Sequence, residues 1–328
     1  MSADTNIEWC HATANWWAGC NKVSPACDNC YAERMAGRLW GTQWGRGQPR
    51  TQFAGTEATL KALDRKAMRL GKPLSVFHNS LSDFFDKEVP VQWRISALRA
   101  MVDTPHLVHL LLTKRIGNAR EMLETAFRAI HAQREGWANN VPPNIWIGAT
   151  IVNQEEADRD IPKLLTVPAA KRFLSMEPLL GPVNLGAWID PWNMCGYCGE
   201  SFDYEQDRAD LCPECGQTGC MCTGFGSELR NDFDDADGRL EVPDDGPGID
   251  WVIVGGESGP NARPMYPDWA RSLRDQCVAA GVPYLFKQWG EWRPATDGEL
   301  CEGFEFGRSG KKASGRLLDG RIWDEVPA

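Results

Sequence analysis

Short apolar runs that stop abruptly at polar residues, each followed by helical periodicity, recur along this chain. PLSVFHNSLSDFF (73–85) precedes a helix expected near 89–102, and HLVHLLLTKR (106–115) precedes one near 116–134. NIWIGATIVNQ (144–154) leads into EEADRDIPKLL, whose acidic first turn suits the positive end of a helix dipole. KRFLSMEPLL (171–180) follows, IDWVIVGGESG (249–259) precedes a helix near 267–280 closed by Gly281, and VPYLFKQWGEW (282–292) comes last. These runs are six strands, and HATANW (11–16) would make a seventh. Continuous apolar strands alternating with amphipathic helices indicate a parallel sheet covered by helices. The fold class expected is therefore α/β, a full or partial (β/α) barrel of about six or seven parallel strands, with a doubly wound open sheet as the competing architecture.

In either architecture chemistry gathers where the strands end. The polar residues there are Asn79, Ser80, Ser82 and Asp83; Thr113, Lys114 and Arg115; Thr150 and Asn153; Ser175 and Glu177; Glu257 and Ser258; and Lys287 and Gln288. Capping and turn roles account for any one of them alone. A first helix is expected from Tyr31 to about Leu39, with Tyr31, Met35 and Leu39 as its inward face.

Residues 192–248 break the rhythm with a Cys-rich and then Asp/Gly/Pro-rich stretch. The chain divides accordingly into 1–191, the first part of the barrel; 192–248, an inserted zinc-ribbon-like and acidic segment; and 249–328, the last part of the barrel and a tail. The insertion also changes the meaning of the net charge of −10, because residues 195–250 alone carry −12 and leave the rest at +2. An acidic partner is thus compatible with the main body. Apolar content of 42% comes without any run near the roughly 18 residues that a membrane span needs. The N-terminus lacks the basic start and apolar stretch of a secretory signal. A cytoplasmic protein with no membrane association is expected.

Twelve cysteines in such a chain point to metal or catalysis rather than disulfides. Cys195 and Cys198, then Cys212 and Cys215, form two CxxC knuckles that suit one tetrahedral Zn2+ of structural type, with Cys220 and Cys222 nearby. Cys20, Cys27 and Cys30 supply three thiols on one loop between the first strand and the first helix. Three cysteines at the rim of a barrel can hold a [4Fe-4S] cluster and leave one iron open to another ligand. Cys277 and Cys301 are isolated and read as buried apolar residues.

On these residues the sequence resembles the radical S-adenosylmethionine (SAM) superfamily, whose core is a full or partial (β/α) barrel with a three-cysteine loop after its first strand. GCNKVSPACDNCYAERM, NSLSDFF, LTKR, SMEPLLGPV, WVIVGGESGP and FKQWG together look more closely like an uncharacterised phage-associated family also found in bacterial genomes. The first resemblance implies a [4Fe-4S] cluster on Cys20, Cys27 and Cys30, S-adenosylmethionine held with the help of Asn79, Ser80 and Asp83, and an electron donor. Reductive cleavage of SAM would then initiate hydrogen abstraction from a substrate at the barrel mouth. Lys114, Glu177, Glu257 and Lys287 are the candidates for substrate contact or proton transfer. ERMAGRLWGTQWGRGQPR (33–50) interleaves four arginines with tryptophans, a composition suited to a nucleic acid or nucleotide substrate, although snorkelling arginines at a helix end give the same pattern. Two other readings stand beside the enzyme. One is a nucleic-acid-associated zinc protein in which Cys10 completes the first cysteine set. The other is a barrel hydrolase or lyase using Glu177 and Glu257 as an acid/base pair.

Overall fold

The computed structural model describes residues 5, 7–131, 141–189, 248–295 and 305–328. Its strands in chain order are β1 (Ala12–Ala14), β2 (Trp17–Ala18), β3 (Thr51–Gln52), β4 (Leu74–His78), β5 (Leu107–Thr113), β6 (Ile145–Thr150), β7 (Arg172–Met176), β8 (Trp251–Gly255), β9 (Tyr284–Gln288), β10 (Trp292–Pro294) and β11 (Phe306–Arg308). The helices are α1 (Tyr31–Trp40), α2 (Thr56–Leu70), α3 (Val91–Val102), α4 (Ala119–His131), α5 (Gln154–Leu165), α6 (Gly186–Ile189), α7 (Pro267–Ala279) and α8 (Lys311–Ser314).

Seven strands pair in parallel in the order β1-β4-β5-β6-β7-β8-β9, a half-barrel with helices around it. All seven strands read from the sequence are present. β7 and β8 are neighbours although residues 192–248 lie between them in the chain, and that segment, with its cysteines, falls largely outside the described residues. The pairs β2–β3 and β10–β11 are small antiparallel ribbons at the ends of strands. The last residues of the chain run back along β9, where Phe286 N donates to Trp323 O (3.0 Å) and Leu285 bridges Asp324, so the tail covers an edge that would otherwise be open.

Alternation along the strands makes two different faces. Val76, Leu111, Ile147, Leu174, Val254 and Phe286 face the helices and join their apolar stripes in the main core. Phe77, Leu110, Phe173, Ile253 and Leu285 face the inside of the half-barrel, packed with Trp9, whose ring lies 4.6 Å from that of Phe77. Gly148 belongs to this inner face opposite Phe173, and a Cβ there would stand 2.4 Å from the Phe173 ring. Glycine is what lets the ring fill the centre.

One polar relay interrupts the helix-covered face. Trp16 Nε1 donates to His78 Nδ1 (3.1 Å), His78 Nε2 meets His109 Nδ1 (2.9 Å), and His109 Nε2 meets the Thr104 hydroxyl (3.1 Å). Every ring nitrogen is satisfied with both imidazoles neutral. Burial pushes His78 well below the ordinary imidazole range and His109 down to about 4.

Local signals explain most helix boundaries. Asn153 caps α5 by accepting from Glu156 N (2.9 Å), while the Glu156 carboxylate accepts from Val152 N (3.2 Å), one residue before the cap. α1 stops at Gly41 and α2 at Gly71, both left-handed. Helix α2 has no counterpart among the elements read from the sequence, although Leu60, Leu63 and Ala67 lie at helical spacing and are buried.

The expected inward face of α1 is the wrong one. Tyr31, Met35 and Leu39 are 48%, 43% and 53% exposed, whereas Ala32 and Ala36 are buried against Ala18 and Leu81. Two alanines let the helix axis approach the β2 region closely, which the larger side chains could not.

Candidate functional site at the mouth of the half-barrel

The three-cysteine loop leaves β2 and crosses the carboxyl ends of the strands before entering α1. Cys27 closes a 3-10 turn, Pro25–Cys27, whose Ser24 hydroxyl accepts from Ala26 N (3.1 Å), and Cys30 sits at the N-cap of α1. Cys20 and Cys27 are buried and Cys30 is half-buried.

Two arginines hold this loop, each backed by a buried carboxylate. Arg115, just beyond β5, donates to the Asn21 carbonyl (2.7 Å) and side-chain oxygen (2.5 Å) while its other nitrogen lies 3.0 Å from Asp83 Oδ2. Burial opposes the Arg115 charge, and Asp83 together with Cys20 overcomes it, so the guanidinium stays charged. Arg263, beyond β8, donates to the Pro25 carbonyl (2.9 Å) and to Asp28 (3.1 Å), one on each side of Cys27. Its Nε and one terminal nitrogen grip Glu257 in a two-pronged pair at 2.8 and 2.7 Å. Burial alone would raise the Glu257 carboxyl, but Arg263 outweighs it and holds the group below the usual carboxylate range.

These clamps involve several of the sequence candidates directly. Asp83 accepts from the Thr113 hydroxyl (2.7 Å), Phe85 N (2.9 Å), Lys114 N (3.0 Å) and Arg115, which uses its acceptor capacity on the protein itself. The Ser80 hydroxyl is paired with Asn15 (3.2 Å), and its carbonyl accepts from the Tyr31 hydroxyl (2.9 Å). Asn79 adopts a left-handed backbone (φ 57°), accepts from Trp16 N (3.1 Å) and keeps a buried side-chain nitrogen with no protein partner. Glu257 is the base of a clamp rather than an open carboxylate.

The other three candidates gather on the inner face. Glu177 Oε2 lies 2.5 Å from Lys287 Nζ, and Ser175 Oγ lies 3.4 Å from Glu177 Oε1. Further along the rim Lys114 Nζ donates to Thr150 Oγ1 (3.3 Å). Gly255, on the strand between Glu177 and Lys287, leaves room for this pair, since a Cβ there would sit 3.1 Å from Glu177 Oε2. Burial tends to discharge Lys287, and Glu177 more than restores its charge. Tyr31 feels Lys287, Cys30 and Glu177, so the end of the cysteine loop and the Glu177–Lys287 pair share one mouth.

Among the described residues no three His, Cys, Asp or Glu side chains are gathered into a group able to hold a metal ion. The three thiols stand on one rim without converging. Burial, with Asp83 adding to it, pushes the Cys20 thiol up to about 12 despite the nearby Arg115. Cys10 packs with the inner aromatic cluster, whereas Cys30 packs with Ala18, Ala32 and Leu81, so Cys10 is not assembled with that loop as a fourth ligand. Cys195, Cys198, Cys212, Cys215, Cys220 and Cys222 lie outside the described residues. Arg263 is the site residue that sequence reading missed, because a single arginine in a loop carries no periodic or spacing signal.

No helix among the described residues is long and apolar enough to cross a membrane. No curated protein matches the chain, and no solved structure does. A family model matches residues 4–327, and the chain belongs to that family, described as protein of unknown function (DUF5131).

Proposed function

Starting from that membership, we propose that the chain is an iron–sulfur enzyme of the radical SAM type that acts on a nucleic acid or nucleotide substrate. The observation that carries the reading is the loop of Cys20, Cys27 and Cys30 at the carboxyl rim of a parallel half-barrel, pinned by two carboxylate-backed arginines beside a Glu177–Lys287 pair. The cysteines fit such a cluster by donor type and by placement, and loading requires their sulfurs to converge further than they do here. When bound, the cluster together with SAM supplies an electron and a carbon-centred radical that removes a hydrogen atom from substrate.

The chain's own residues do the rest. Arg115 and Arg263 limit the conformations of the cysteine loop and so lower the entropy lost on loading. The aromatic cluster of Trp9, Phe77, Phe173 and Trp251 closes the bottom of the half-barrel against water. Lys287 presents an ammonium to a ligand carboxylate or phosphate, and Glu177 holds or accepts a proton beside it. Asn79 offers its unpartnered amide nitrogen to a bound cofactor, the part of the Asn79, Ser80 and Asp83 set still open to one. Zn2+ on the second cysteine group, a phage association and an external electron donor belong to the same proposal and rest on sequence. The hydrolase reading loses support because Glu257 is occupied by Arg263.

Anaerobic purification followed by iron, sulfide and zinc analysis tests the proposal. About four irons and four sulfides per chain, lost in Cys27→Ser, are expected. Zinc alone in a protein that forms no 5′-deoxyadenosine from SAM under reduction would overturn it.

A further inference from the structure

On the outward face of α1, Tyr31 donates to the Ser80 carbonyl and Arg34 reaches Gly259, while Met35, Arg38 and Leu39 are exposed. The exposed residues of this face, Arg34, Arg38, Tyr31, Met35 and Leu39, form one continuous strip at helical spacing, and Arg46 follows in the next loop. The strip begins at the residue after Cys30 and therefore opens from the mouth.

Charge sets this strip apart, because the chain outside residues 195–250 carries only +2 in all. Three carboxylates near it among the described residues already have a cation. Glu33 pairs with Lys22 (3.5 Å), Asp28 with Arg263 (3.1 Å), and Glu88 with Arg50 (3.1 Å). Arg34, Arg38 and Arg46 have no ion pair among the described residues. Among the described residues, three guanidiniums without an ion pair thus border an exposed apolar surface headed by an aromatic ring. Snorkelling does not account for them, since the apolar residues beside them are themselves exposed.

We infer that this face of α1 binds single-stranded nucleic acid, with Arg34, Arg38 and Arg46 on phosphates and Tyr31, Met35 and Leu39 against unstacked bases. Guanidiniums match phosphate oxygens in a planar fork, and an aromatic or apolar surface accepts any base face. A duplex hides its base faces and would leave the apolar half of the strip bare. The inference rests on the proposed function in naming its substrate class: a strand lying along α1 would bring one nucleotide to the Glu177–Lys287 pair.

The test is fluorescence anisotropy of the full chain with a labelled single-stranded oligonucleotide of about 16 nucleotides. Arg38→Ala/Arg46→Ala is expected to weaken binding about tenfold and to make the slope of log affinity against log salt shallower by about 1.4, two lost contacts at roughly 0.7 each. Met35→Glu is expected to weaken binding with little effect on folding, because residue 35 is exposed. Arg65→Ala/Lys66→Ala, on exposed α2, is expected to leave binding unchanged. Loss of binding in the α2 variant but not in the α1 variants would overturn the inference, as would equal competition by an acidic polypeptide or by the corresponding duplex. Binding is read on protein with or without iron. Iron-free protein that still binds through α1 would count against the radical reading alone, and loaded protein that does not bind would count against this inference alone.

Discussion

Glu177 and Glu257 follow neighbouring strands of one sheet, and the sequence presents them as equivalent carboxylates at a barrel mouth. Glu177 stands one residue beyond β7 and keeps a single close cation, Lys287, on the inner face. Glu257 stands two residues beyond β8 and is gripped by Arg263 through a backbone nitrogen and two guanidinium nitrogens. The difference lies in where the partner comes from. Lys287 is on a strand and lies on the inner face of the half-barrel, whereas Arg263 is on a loop and also donates to Pro25 and Asp28. Glu177 keeps acceptor capacity beyond its one lysine contact, whereas Glu257 is gripped by three donors of an arginine that also ties the cysteine loop.

Substitutions separate the two roles. On the proposed reading Glu177→Gln removes the charge beside Lys287 and should lower 5′-deoxyadenosine-coupled turnover about 100-fold or more; it also leaves a largely buried Lys287 uncompensated and should cost about 2 kcal/mol in urea unfolding, with Cys27 thiol reactivity unchanged. A variant with full turnover would show that this pair is structural. Glu257→Gln should leave the Glu177–Lys287 pair intact and cost a similar amount of stability, about 2 kcal/mol, a figure reduced from that of a fully buried pair because Arg263 is one-third exposed. It should also speed alkylation of the Cys27 thiol about tenfold as the loop loosens, an opening made easier by about 1.4 kcal/mol. Unchanged stability and unchanged thiol reactivity together would refute the clamp. Gly255→Ala tests the space between the two: its Cβ would press on the Glu177 carboxylate, and turnover should fall about tenfold, near 1.4 kcal/mol.

The smallest expected effect is in the pH dependence of stability. The Glu257 carboxyl is held below its ordinary 4.5, so its stabilisation is complete above that pH and is lost as pH falls through the lowered value. His78 and His109 are buried neutral, and for them the unfolded state takes up protons first, so stability erodes as pH falls from 6.5, for His109 down to about 4. The stability difference between the parent chain and Glu257→Gln should therefore stay flat while the histidines titrate and narrow only below 4.5. A difference that collapses already above 5, measured by urea unfolding across a pH series, would mean that another group supports Glu257.

Much of the scaffold was legible in the order of residues. Seven apolar runs became seven parallel strands because a strand buried on both faces must be continuously apolar, and that composition survives in one dimension. Helix α2 escaped notice although Leu60, Leu63 and Ala67 mark it, since its polar residues outnumber them. The mouth was legible as a set of strand ends but not as a circuit. Lys114, Glu177 and Lys287 were foreseen there; the Arg263 clamp was not.

The sequence by itself determined the parallel sheet, the loop that carries three cysteines and the polar residues that end each strand, because all of these follow from local periodicity and spacing. Only the tertiary structure decided which carboxylate pairs with a strand lysine and which with a loop arginine, which arginine pins the loop and which side of α1 meets water. Those outcomes depend on pairings across more than 200 residues, such as Arg263 with Asp28, and on the close approach that Ala32 and Ala36 permit. Hydrophobicity predicts that α1 buries Tyr31, Met35 and Leu39. Packing distance favours the alanines, and the face left outside is the one inferred above to bind nucleic acid.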